Sequence, residues 1–220
     1  MKKHLTAAGI FAALFVLVLV LVKCVDVSPI GPEGTAVGLS GINAAAQKAI
    51  GVHMGAYTVS EYLGYLALAV AAAFACVGLV QLLRRKSLWK VDREILALGV
   101  LYIVLGCLYV LFEKLVVNYR PVLLPGETVP AASFPSSHSM LAYVIFGSAA
   151  QLVSRYLKQK TARSVLYGLC ILLGFATVLL RLLSGVHWLT DIVAGMLLGF
   201  ALDELYAAAI SLHNTSGTDQ

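Results

Sequence analysis

Apolar residues occur along this chain in long runs divided by short polar breaks, and each run approaches the roughly twenty residues of helix that a bilayer crossing needs. That ruler places six spans, near residues 5–23, 62–83, 94–117, 138–155, 165–183 and 187–209. The pattern predicts an all-α polytopic membrane protein with six transmembrane helices. One long connection, about 24–60, follows the first span; its Val27-Ser28-Pro29-Ile30-Gly31-Pro32 stretch is rich in turn formers, and a short helix fits near 42–50. Connections of this length serve as lids and binding elements, or as plain linkers. Thr58-Val-Ser-Glu61 has the form of a capping box at the start of span two, which makes Glu61 a structural residue. The polar tail at 213–220 reads as disordered, leaving 1–212 as a single transmembrane domain with no internal repeat.

Composition agrees with a lipid-embedded chain. Of 220 residues, 60% are hydrophobic and 12% charged, more apolar surface than a soluble globule of this size buries. The Met1-Lys2-Lys3-His4 start resembles that of a secretory signal, but no small-x-small cleavage site follows, so the segment is expected to stay as span one. Lys23 stands where a lipoprotein signal needs a small residue before Cys24. Cys24, Cys76, Cys107 and Cys170 show no metal-ligand spacing and read as small hydrophobes.

Charge sets a direction. Lys2 and Lys3 precede span one; Arg84, Arg85, Lys86, Lys90 and Arg93 separate spans two and three; Arg155, Lys158, Lys160 and Arg163 separate spans four and five. Basic residues are retained on the cytoplasmic side, so both termini are expected there, in a cell membrane. The 24–60 segment and the outer ends of spans three to six then face away from the cytoplasm. The net charge of +5 is thus a topology signal and gives no support to nucleic-acid binding.

Three polar clusters fall on that outer side, where ionisable groups at membrane depth point to function. The first closes span three, in Glu113-Lys114-Leu115-Val116-Val117-Asn118-Tyr119-Arg120-Pro121; a lysine and an arginine there could also simply snorkel to the headgroups. The second opens span four, in Phe134-Pro135-Ser136-Ser137-His138-Ser139. Serines after proline make an ordinary helix cap, and the same arrangement makes an anion site from free amides, hydroxyls and the helix dipole. The third joins spans five and six, from Arg181 to Asp191. His187 and Asp191, four apart, are expected on one helix face with the carboxylate hydrogen-bonded to the imidazole, an arrangement that is either structural or that of an activated nucleophile. Trp188 reads as an interfacial belt residue.

Together these groups suit phosphoryl transfer without a metal or other cofactor. A phosphate ester spreads negative charge over its equatorial oxygens; Arg120 and Arg181 offer permanently charged forks, and the amides of 136–138 add donors. His187 would attack phosphorus and His138 would protonate the leaving oxygen. The outer carboxylates and histidines lack the spacing of a metal cage.

The three clusters, in this order, resemble the three-part signature of the type 2 phosphatidic acid phosphatase superfamily, over about residues 114–191. Pro135-Ser136-Ser137-His138 is similar to the family's Pro-Ser-Gly-His, and the Arg181, His187, Asp191 spacing matches its third part. The resemblance implies a six-span, metal-independent histidine phosphatase in which Lys114, Arg120, Ser136, Ser137 and Arg181 hold phosphate, His138 is the acid, His187 the nucleophile and Asp191 its partner. Three departures stand out: Ser137 replaces the glycine, Leu180 stands where a serine often precedes the arginine, and Glu113 occupies the place of the lysine. The last displaces Lys114 by one residue, about 100° around the helix.

The sequence therefore points to a lipid phosphate phosphatase. An outward site suits undecaprenyl pyrophosphate first, with phosphatidic acid, phosphatidylglycerol phosphate or a phosphorylated glycolipid as alternatives. A lipid phosphotransferase would use the same residues. A binding or transport protein for lipid phosphate would need the arginines but not His138 or the His187–Asp191 pair.

Overall fold

In the computed structural model, which describes residues 1–211, seven α-helices and two short 3-10 turns account for the fold, with no extended strand among the described residues. The helices are α1 (Lys2–Cys24), α2 (Ser40–Ile50), α3 (Met54–Arg85), α4 (Arg93–Lys114), α5 (Ser137–Tyr156), α6 (Lys160–Leu183) and α7 (Leu189–Ser211). Six correspond to the expected spans and α2 to the short helix of the long connection. By length and apolarity α1, α3, α4, α6 and α7 can each cross a membrane. Helix α5 has the length of a span but carries four serines, and it lies inside the bundle with Met140, Val144, Ile145, Phe146 and Leu152 buried. The tail expected to be disordered, 213–220, lies outside the described residues.

The bundle closes tightly where α5 meets α7. A side chain at Gly195 would reach to 2.6 Å from the Ser136 carbonyl, and one at Gly199 to 2.8 Å from Tyr143 Cβ. Small residues four apart let two membrane helices approach to backbone contact. Here they bring the start of α5, the second polar cluster, against the start of α7, the third. The Ser136 N–H completes the join by donating to the Asp191 carbonyl at 2.9 Å.

The basic ends of the helices gather at the opposite end of the bundle. His4 meets Glu204 at 2.6 Å, Arg155 meets Glu94 at 3.4 Å, and Arg85 meets Asp92 at 2.7 Å. All eleven basic residues that set the expected orientation belong to these ends or to the connections between them.

Two expected starts need correction. Helix α3 begins at Met54, eight residues before the expected 62, so residues 54–60 belong to a helix of 32 residues rather than to the connection. The capping box does not form, because Thr58 lies inside that helix and its hydroxyl donates to the Met54 carbonyl. Helix α7 begins at Leu189, which leaves His187 in the turn before it, where Gly185 takes a positive φ of 68°.

Candidate active site

Helix ends converge at the non-basic end of the bundle, and a folded connection completes them. Between α4 and α5 the chain doubles back: Tyr119 bridges Ala132, the Arg120 N–H donates to the Ala131 carbonyl, and the Ser133 N–H donates to the Asn118 carbonyl. This places Arg120 beside Ser133 and the start of α5. A small cleft there is lined by Glu113, Arg120, Ser133, Pro135, Ser137 and His187.

At the start of α5, Ser136 is fully buried, and its hydroxyl oxygen accepts from the Ser139 hydroxyl at 3.0 Å and, more loosely, from the Ser139 N–H at 3.5 Å. The side chain thus caps the helix, while Ser137 lines the cleft. The capping reading of the serine pair describes Ser136.

His187 is 4% exposed. Its Nδ1–H donates to the Ser133 carbonyl at 3.1 Å; a carbonyl only accepts, so the lone pair resides on Nε2. Burial, with the positive fields of Arg181 and Arg120, holds this imidazole well below the usual histidine range, in its neutral form. Nε2 is buried and has no partner among the described residues.

The expected hydrogen bond between Asp191 and His187 is replaced by a longer approach. Asp191 Oδ2 stands 3.7 Å from His187 Nδ1, beyond hydrogen-bond reach. Because His187 precedes the helix, its ring turns to the Ser133 carbonyl, and Asp191 Oδ2 instead accepts the Trp188 N–H at 3.0 Å in the manner of a helix-start acid. Asp191 Oδ1 also accepts from Asn118 at 3.4 Å. Trp188 is no belt residue either: it is 3% exposed, and its indole N–H donates to the Tyr119 carbonyl at 2.8 Å. It pins the α4–α5 connection to the start of α7.

Arg181, at the end of α6, is 1% exposed and fully engaged along one edge. Nη1 donates to Ser60 at 3.0 Å and Glu61 at 2.8 Å, Nη2 donates to His138 Nδ1 at 2.8 Å, and the guanidinium lies 4.9 Å over the Tyr57 ring. Its Nε, like that of Arg120, is buried without a partner among the described residues. Arg120 has a carboxylate nearby, with Nη1 3.7 Å from Glu127.

The structure thus brings Arg120, Ser136, Ser137, His138, Arg181, His187 and Asp191 to one end of the bundle. Lys114 is exposed at the last residue of α4 and does not line the cleft, where Glu113 does. Tyr57, Ser60 and Glu61 join the site from α3, and Glu61 in particular is engaged with Arg181 and His138 rather than with a helix start. Helix α2 backs the third cluster: Asn43 exchanges hydrogen bonds with Thr190, and Gln47 donates to the Gly185 carbonyl at 2.9 Å.

A second, larger recess of about 470 Å³ begins at Glu61, Ser137 and His138 and runs along apolar side chains including Leu68, Leu105 and Ile145. Ser137 lines both spaces.

The family model described as PAP2 superfamily matches residues 94–212, more than half of the chain. A solved structure described as the first transmembrane PAP2 type phosphatidylglycerolphosphate phosphatase from Bacillus subtilis aligns with a TM-score of 0.69 and 16% identity, over 97% of this chain and 98% of that one. At that identity the likeness is one of fold. No curated protein matches the sequence.

Proposed function

We propose, from the premise that the chain belongs to the PAP2 superfamily, that it is a membrane phosphatase removing phosphate from a lipid phosphate by way of a phosphohistidine on His187. The observation that carries this reading is that His187 Nε2, Arg120 Nε and Arg181 Nε, three of the buried polar atoms without partners among the described residues, belong to this one end of the bundle. Each unpaired buried group costs about 1–3 kcal/mol. A phosphate between them would satisfy two cationic donors and face one lone pair.

In the first step the Nε2 lone pair attacks phosphorus, an N–P bond forms as the P–O bond to the lipid breaks, and the leaving oxygen takes a proton from His138. In the second, water attacks phosphorus, its proton passes to His138, and the N–P bond breaks to release phosphate. Arg120, Arg181 and the Ser137 amide stabilise the equatorial oxygens, the Ser136 amide being committed to the Asp191 carbonyl. Asp191 orders the turn that carries His187 by accepting the Trp188 N–H. The apolar recess beginning at His138 suits a lipid chain, with the leaving oxygen near Ser137 where the two spaces meet.

Undecaprenyl pyrophosphate is the substrate we expect first. Phosphatidylglycerol phosphate is the second reading, favoured by the activity named for the protein of like fold. Purified enzyme assayed in detergent against both lipids and phosphatidic acid decides among them. Activity is expected to survive excess chelator and to be blocked by vanadate, a five-coordinate mimic; loss in chelator with recovery on a divalent ion would sink the metal-free mechanism.

The same proposal places the site on the extracytoplasmic face, with the termini inside, from the distribution of basic residues. Cysteine labelling of intact cells checks it: a cysteine at position 158 should resist an impermeant reagent while one at position 30 reacts, and the reverse pattern turns the molecule over.

A further inference from the structure

Helix α3 lies outside the region matched by the family model, yet one of its faces is built around the two groups that matter most at the end of α6 and the start of α5. Tyr57, Ser60, Glu61 and Gly64 recur at intervals of three, one and three residues, a single helical face. Tyr57 covers the Arg181 guanidinium and Ser60 accepts from its Nη1. Glu61 Oε1 stands 2.8 Å from Arg181 Nη1 and 3.3 Å from His138 Nε2. At Gly64 the ring of His138 lies so close that an added Cβ would come within 2.9 Å of its Cδ2 and 3.1 Å of its Nε2. The glycine leaves the space that the imidazole fills, and the carboxylate one turn away meets its far nitrogen.

From this geometry we infer that Glu61 is a positioning residue of the reaction, holding the acid His138 and the phosphate ligand Arg181 in one fixed relation. The inference rests on the phosphatase reading above. An arginine only donates, so Nη2 at 2.8 Å requires Nδ1 of the neutral His138 ring to be the acceptor, and the ring proton sits on Nε2, toward Glu61. Arg181 thereby sets the tautomer from one side of the ring, and the carboxylate accepts the Nε2 proton on the other and neutralises the ring when His138 carries its second proton. It also occupies Arg181 along the Nη edge, which leaves Nε as the donor free for phosphate. Without the carboxylate the imidazole keeps its place against Gly64 and its contact with Arg181 but loses the acceptor for its Nε2 proton and the charge that would offset its protonated form.

The test uses the full-length protein in detergent, wild type and three variants: Glu61→Gln, Glu61→Asp and Gly64→Ala. Single-turnover phosphate release is measured with a lipid alkyl phosphate and with an aryl phosphate whose leaving group needs little protonation. Glu61→Gln is expected to slow the alkyl substrate by about 10- to 100-fold, part of what general acid catalysis contributes, and the aryl substrate by much less. Glu61→Asp should recover part of the loss. Gly64→Ala, which displaces the ring itself, should show the same leaving-group dependence. Imidazole nitrogen spectra of histidine-labelled protein, with the His138 signal assigned by its loss in His138→Gln, should report the Nε2–H tautomer in wild type and a shifted Nε2–H signal, its carboxylate partner lost, in Glu61→Gln.

Equal losses on both substrates with an unchanged Nε2–H signal would overturn the role of Glu61 and leave the phosphatase reading standing. Absence of turnover of every lipid phosphate by the wild type would overturn that reading, and the catalytic part of this inference with it. The spectrum separates the two, since it reads the contact between Glu61 and His138 without turnover.

Discussion

Replacing His187 with alanine is expected to abolish phosphate release from every substrate, by a factor on the order of 10⁴ or more as for other catalytic groups that act as a unit, and to eliminate any trapped phosphoenzyme. The reason lies in how the ring is held. Its Nδ1–H is committed to the Ser133 carbonyl, and its other nitrogen carries a buried lone pair without a partner among the described residues. No leaving group, however good, bypasses the loss of the atom that forms the N–P bond. His138→Ala should differ, hurting an alkoxide leaving group more than an aryl one. The measurement is quench-flow with labelled phosphate followed by alkaline trapping of phosphohistidine; a labelled phosphoenzyme that persists in His187→Ala would refute the assignment.

The pH dependence expected of His187 follows from its surroundings. Burial and two arginines disfavour the protonated ring, so its folded value lies below the ordinary 6.5 and the reactive base form is kept as pH falls through that value. The acid limb of the rate for bound substrate assigned to this residue should therefore lie below pH 6.5.

Much of this arrangement is legible in the chain because membrane helices obey a coarse rule. Apolar runs of fixed length and the asymmetry of Lys and Arg organise six helices, and the three polar clusters then fall at one end. What the sequence conceals is local. His187 and Asp191 are four apart, a helical spacing, but the left-handed turn at Gly185 delays α7 until Leu189. The pair therefore separates to 3.7 Å, and a backbone carbonyl 54 residues away takes the hydrogen bond. Trp188 looks like an interfacial aromatic because composition alone cannot show that its N–H finds the Tyr119 carbonyl. Glu61 looks like a cap because Thr58 precedes it by three, whereas the helix already runs from Met54 and the carboxylate reaches groups 77 and 120 residues further along the chain. One signal for Glu61 was available: an acid at a span's outer end facing unpaired arginines has a reason to be there.

Lys114 shows the same limit from the other side. Its order in the chain fits a phosphate ligand, but a single residue of displacement carries it about 100° around α4. Glu113 meets the cleft in its place. A second carboxylate, Glu127, lies 3.7 Å from Arg120. With Glu61 at Arg181, each candidate phosphate-binding arginine has an acid close by, and the site balances its own charge within the protein.

That balance sets the outcome expected for Arg181→Ala. The substitution removes donors from Ser60, Glu61 and His138 together and leaves the Glu61 carboxylate, 23% exposed, without its closest cation. Breaking a buried ion pair from one side costs about 3–5 kcal/mol, and the partial exposure of Glu61 moves the expectation to about 2–3 kcal/mol. The variant should melt at a distinctly lower temperature in detergent and turn over substrate about 10²–10³-fold more slowly, the scale of losing a preorganised charge donor. Arg181→Ala combined with Glu61→Gln separates the two effects. Neutralising the stranded acid should restore most of the melting temperature, so the stability changes are strongly non-additive, while phosphate release stays at the level of Arg181→Ala because no guanidinium faces the phosphate. Arg181→Lys keeps a charge but only a point donor; it should melt near wild type and recover only part of the rate. Melting curves and single-turnover rates for wild type, these three variants and Glu61→Gln alone read the coupling directly. Additive losses of stability would show that Glu61 and Arg181 do not balance one another, and full activity in the double variant would remove Arg181 from the phosphate site.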